Sequence, residues 1–90
     1  MANAKSGTLV ASTVSTVTVS ADGRGIQVVN RTQTGVIWVR LDGVDPAAAA
    51  DENFAVLGVR HFPTRTGSIE VRMISADALA YTVEGMVDVL

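Results

Sequence analysis

The chain has 90 residues, 48% of them hydrophobic and 18% charged, with a formal net charge of −2. That length closes one hydrophobic core but leaves little chain to wall a deep substrate cleft, and the apolar content excludes intrinsic disorder. A pI of about 5.1 without a basic stripe argues against a nucleic-acid module, and the lack of cysteine removes disulfides, thiolate metal sites and cysteine nucleophiles.

Met1 to Ser6 is polar and leads into no signal-peptide apolar region, so residues 1–6 are expected to form an N-terminal arm ahead of a single β domain over 7–90. No run approaches the ~18 consecutive apolar residues of a membrane-spanning helix, so no membrane is expected as a partner. From Gly7 to Ser20 the chain is mostly Thr, Ser and Val, with Val17 and Val19 alternating against Thr16 and Thr18. This predicts one strand bent near Ser12-Thr13, or two strands. Ala21 to Gly25 offers positive-φ positions for a tight turn, and Ile26 to Asn30 follows as a strand, which predicts a hairpin. The sequon Asn30-Arg31-Thr32 has no expected consequence without secretion.

Arg31 to Gly35 reads as a second turn before Val36 to Leu41, the strongest strand in the sequence. Ile37, Val39 and Leu41 make its core face, which places Trp38 and Arg40 together on the outer face, where a buried-loop position for Trp38 is the competing reading. Asp45 to Asn53 has an N-cap residue, Pro46 at a first helical position and Ala47 to Ala50, yet offers no apolar face, so a single turn or irregular loop is expected. Phe54 to Val59 and Ser68 to Ser75 read as strands, the latter with Ile69, Val71 and Met73 alternating against Glu70, Arg72 and Ile74. Tyr81 to Glu84 closes the series. The apolar tail Met86 to Leu90 either extends that strand or docks on a partner. About six to eight short strands with regular turns predict an all-β fold, a small antiparallel β-sandwich or barrel, with jelly-roll and immunoglobulin-like topologies both open.

Chemistry is scarce along this pattern. His61 is the one histidine, and its neighbours Arg60, Pro63, Thr64 and Arg65 read as a polar loop instead of a catalytic triad. Asp42, Asp45, Asp51 and Glu52 gather in one loop, but their spacing is not that of a calcium loop, so turn capping is expected and whether a cation binds is left open. Neither catalytic residues nor a cofactor or metal is assigned. Four aromatic residues, Trp38, Phe54, Phe62 and Tyr81, are too few for a carbohydrate or single-strand stacking platform. Of the seven basic residues only Lys5 is a lysine, and arginine is the cation that protein interfaces favour.

Several segments resemble small structural proteins of tailed bacteriophages. They are Val28-Val29-Asn30-Arg31, Ile37-Trp38-Val39-Arg40-Leu41-Asp42-Gly43, Asp45-Pro46, Phe54-Ala55-Val56-Leu57, Met73-Ile74-Ser75 and Ala80-Tyr81-Thr82-Val83-Glu84-Gly85. The resemblance, strongest toward capsid decoration proteins, covers roughly Gly7 to Gly85. It implies a non-enzymatic virion protein made in the bacterial cytoplasm and carried on the capsid exterior, with the major capsid protein as partner and a homo-oligomer, most often a trimer. A head-fibre or tail accessory module that binds a host-surface ligand is the alternative, and a small hydrolase using His61 a third. On the decoration reading, Trp38, Arg40, Arg60, Arg65 and Lys5 are the expected contacts with capsid or sister subunits.

Overall fold

The computed structural model describes residues 3–22, 24–47 and 53–85. Alternation between β-branched apolar and short polar residues produces strands with one dry and one wet face, and eight of them form in chain order among the described residues. They are β1 (Asn3–Thr8), β2 (Ser15–Asp22), β3 (Ile26–Asn30), β4 (Ile37–Arg40), β5 (Phe54–Val56), β6 (Val59–Phe62), β7 (Thr66–Ile74) and β8 (Ala80–Gly85). The run from Gly7 to Ser20 therefore splits in two, with Ser12 at a φ of 59° in the turn between. Among the described residues no helix occurs. The irregular-loop reading of Asp45 to Asn53 holds for Asp45 to Ala47, while 48–52, with Asp51 and Glu52, lie outside the described residues, as do Met1, Ala2 and the tail Met86 to Leu90.

Every pairing is antiparallel. One sheet has the order β1-β8-β3-β6 and the other β2-β7-β4-β5. Four of the pairs, β1 with β8, β2 with β7, β3 with β6 and β4 with β5, are those of one long hairpin whose arms are the first and second halves of the chain. Rolling that hairpin adds the remaining pairs, β3 with β8 and β4 with β7, which is the wrapping of a jelly roll. The immunoglobulin-like and closed-barrel alternatives are thereby set aside.

Two expectations about the chain's path need correction. The hairpin expected across Ala21 to Gly25 does not exist, because β2 pairs with β7 and β3 pairs with β6 and β8, so this segment carries the chain from one sheet to the other. Gly25 occupies a φ of 98° there, as the turn reading required, but it serves a crossing instead of a reversal. The N-terminal arm is likewise corrected from its third residue onward: Asn3–Thr8 is β1, zipped in register to β8 from Asn3 opposite Gly85 to Thr8 opposite Ala80. Main-chain hydrogen bonds outweigh the polarity of these side chains, since an edge strand needs no apolar outer face.

The core lies between the sheets. Ile26, Val28, Phe62 and Val83 meet Val17, Val19, Ile37, Val39, Val56, Ile69, Val71 and Met73, and Leu9 and Leu79 join from connecting segments tied by the Leu9 N–H to the Leu79 carbonyl at 2.9 Å. Gly7 sits opposite Tyr81 in the β1–β8 register, and a Cβ at Gly7 would come within 2.9 Å of the Tyr81 hydroxyl. The tyrosine ring thus covers the bare backbone of an edge strand, where a larger side chain would displace it.

Candidate interaction surface

The outer face of the β2-β7-β4-β5 sheet takes the side chains that alternate away from the core. Ile37 and Val39 are fully buried, whereas Trp38 and Arg40 are half-buried on the outward side, with Trp38 flanked in register by Ala55 and Ile74. The face assignment made from alternation is therefore the one observed. Ile74 shares that face but is nearly buried, an apolar neighbour for the indole that alternation counted among polar positions.

Register sets Arg40 directly opposite Arg72, a like-charge pair that would be destabilising alone. Three carboxylates answer it. Asp42 accepts from Arg40 Nε at 3.1 Å and also from its NH2 group, Glu70 accepts from Arg72 Nε at 2.6 Å, and Asp45 accepts from Arg72 NH1 at 2.6 Å. Asp45 reaching β7 shows that the segment after β4 folds back across the sheet. Asp42 and Asp45, the described acidic residues of the loop after β4, thus serve as counter-ions, and among the described residues no group of three or more His, Asp or Glu side chains could hold a metal.

The Arg40 hydrogen bonds hold the Asp42 carboxyl down from the ordinary 3.8 to about 2, helped by the Val44 N–H and opposed by some loss of solvent. The folded value lies below the unfolded one, so the pair's contribution is complete above 3.8 and is lost as pH falls through about 2. A carboxyl-detected NMR titration is expected to place the Asp42 midpoint near 2 in the native chain and to return it toward 3.8 in Arg40→Gln. An unchanged midpoint in the variant would refute the pairing. Arg72, which donates to Glu70 and Asp45, is pushed further above its usual range.

The other expected contacts are dispersed. Lys5 is exposed on β1, and Arg65 is exposed before β7 with its NH2 group donating to the Ser68 carbonyl at 3.2 Å. Near Arg65, Leu41, Asp42, Pro63, Ile69 and Glu70 line an open groove of about 550 Å3. His61 is corrected from polar loop to strand: it lies in β6, exposed, with Nε2 2.6 Å from the Arg24 carbonyl, and its register neighbour is Gln27.

Arg60 occupies a different kind of place. β5 is an edge of one sheet and β6 an edge of the other, with only Leu57-Gly58 between them, so both strands border the same side of the sandwich. Arg60 spans that side. Its NH1 group donates to the Ala55 carbonyl at 3.0 Å, and its guanidinium stands 5.2 Å from the Phe54 ring centroid and 5.3 Å from that of Phe62. The two rings meet edge to face at 5.4 Å and 66°. Cation–π attraction fixes the long side chain against the aromatics and leaves it on the surface.

Apolar side chains are also exposed along the β5–β6 connection. Phe54 is 43% exposed, Leu57 66% and Val59 63%, and Val59 pairs with half-buried Val29 on the face of β6 opposite Arg60. Exposed aliphatics on one sheet edge, with an aromatic and a stacked arginine on the same edge, have the composition of a protein-binding region. Alternation did not find it, because it treated Phe54 to Val59 as one strand. The available signal was Leu57-Gly58-Val59, two bulky aliphatics around a glycine at a strand break. No family model matches the chain, and no curated protein or solved structure matches it either.

Proposed function

We propose that this chain is a structural virion protein that binds the exterior of a bacteriophage capsid and stabilises its lattice, with the major capsid protein as partner and copies of itself as neighbours. The observation that carries the reading is the exposure of Phe54, Leu57 and Val59 along the β5–β6 edge, where Arg60 is held on Phe54. A decoration protein needs such a surface, and a lattice multiplies the modest affinity of each contact. The resemblance of Gly7 to Gly85 to small phage structural proteins supports the same reading. So does the jelly roll by analogy of fold, since viral capsid domains use it, as lectins also do.

Purified protein is expected to co-sediment with capsids that lack it. Leu57→Asp is expected to weaken that binding about tenfold or more while changing the unfolding free energy by less than about 0.5 kcal/mol, because the side chain touches little of its own domain. Failure of the native protein to co-sediment would sink the proposal, and full binding by the variant would remove this edge from it.

A further inference from the structure

Two arginines of the β2-β7-β4-β5 sheet are met by carboxylates of their own chain, Arg40 by Asp42 and Arg72 by Glu70 and Asp45. Arg60 is held as closely, but by uncharged groups. The Ala55 carbonyl accepts one of its N–H donors at 3.0 Å, and the Phe54 and Phe62 rings attract its charge at 5.2 and 5.3 Å. A guanidinium carries five N–H donors in one plane, and the rings supply no oxygen to accept them. Among the described residues no carboxylate meets Arg60, and the residue is exposed. The cation is thus fixed in place without a counter-ion.

We propose that Arg60 is the anchor for a carboxylate of a bound protein segment, an aspartate or glutamate side chain with an apolar neighbour that packs on Phe54. Carboxylate oxygens match the guanidinium fork, and such charge-assisted pairs are stronger than neutral ones. Because two rings and a carbonyl already restrict the long side chain, less freedom is lost when the pair forms. Phe54 is 43% exposed and lies against the charge, so an apolar group next to the carboxylate is drawn out of water onto a ring. Arginine and aromatic side chains placed in this way are typical of binding hot spots.

The same charges select the occupant. A nucleic-acid backbone or another polyanion needs a row of cations, whereas the groups that hold Arg60 are uncharged and the whole chain carries a net −2. One carboxylate balances one guanidinium. The inference rests on the capsid reading for the identity of the partner, and it adds what that partner presents: an acidic residue beside an apolar one.

Titration of the native protein with the peptide acetyl-Leu-Glu-Leu-amide, followed through the arginine Nε–Hε signals by NMR, tests the site without a capsid. The Arg60 signal is expected to move saturably, with an affinity at least about fivefold higher than for acetyl-Leu-Gln-Leu-amide, while the Arg31 and Arg65 signals move little. In co-sedimentation with capsids that lack the protein, Arg60→Gln is expected to bind about tenfold or more weakly than the native chain. Equal affinity for the two peptides, equal movement of the three arginines, or tighter binding of inorganic phosphate than of the glutamate peptide overturns the proposal. Capsid binding retained in full by Arg60→Gln also overturns it and leaves the capsid reading standing. Native protein that takes the glutamate peptide at Arg60 but binds no capsid supports the carboxylate site and removes the capsid reading.

Discussion

Gly25→Ala is expected to remove about 3–5 kcal/mol of stability, enough to leave a domain of this size largely unfolded at physiological temperature. Gly25 precedes β3 at a φ of 98°, where an L side chain is strained. Strain is the smaller part. A Cβ at this position would lie 2.1 Å from the Phe62 carbonyl oxygen and 2.9 Å from Pro63 Cα, both main-chain groups that cannot swing aside. Relief requires β3 to part from β6 where Ile26 pairs with Phe62, and both of those side chains are core residues. Gly43→Ala separates the two causes. Gly43 has a φ of 79° with nothing within 4 Å of the added carbon, so that variant is expected to lose only about 1 kcal/mol. Thermal and urea unfolding followed by circular dichroism measures both, and equal losses would refute the steric account.

Asn30→Ala is expected to cost about 2–3 kcal/mol and to lower the melting temperature by on the order of 10–20 °C. The side chain is 1% exposed and both ends of its amide are used. Nδ2 donates to the Thr34 carbonyl at 3.0 Å and the Gly35 carbonyl at 3.4 Å, while Oδ1 accepts from the Thr32 and Gln33 N–H groups at 3.1 and 3.3 Å. One side chain thereby shapes the turn from β3 to β4, including Gln33 at a φ of 65°. Alanine removes all four hydrogen bonds. Asn30→Asp keeps the acceptor but turns a carboxylate oxygen toward two carbonyls, so it is expected to be at least as damaging at neutral pH. Native-like unfolding of either variant would show that the turn forms without this amide. The same burial makes the sequon irrelevant in the folded protein, because the asparagine that a glycan would need is inside.

Both positions join segments whose partners lie far away in the sequence. Alternation of Val17 and Val19 against Thr16 and Thr18, of Ile37 and Val39 against Trp38 and Arg40, and of Ile69, Val71 and Met73 against Glu70 and Arg72 located the strands and their core faces. The period of two is a property of each strand alone. Gly25 was legible as a turn residue and Asn30 as the end of a strand, but neither what the first turn connects nor the part that the Asn30 amide plays in the second was. Nothing local records that β2 pairs with β7, so a glycine-bearing link between two strands read as a hairpin when it was a crossing.

The candidate surface divides in the same way. Trp38 and Arg40 could be assigned to an outer face from periodicity. The opposition of Arg40 to Arg72, the return of Asp45 to β7 and the clasp of Arg60 on Phe54 and Phe62 depend on register and on the meeting of two sheet edges. The sequence by itself determined an all-β fold and the inward and outward faces of most strands. Only the tertiary structure decided that the strands roll as one long hairpin, that Asn3–Thr8 is a sheet edge and not an arm, and that Phe54, Leu57 and Val59 are exposed along the edge where β5 meets β6. The physical reason is that side-chain period is written within each strand, whereas pairing and sheet closure are settled by the packing of the whole core.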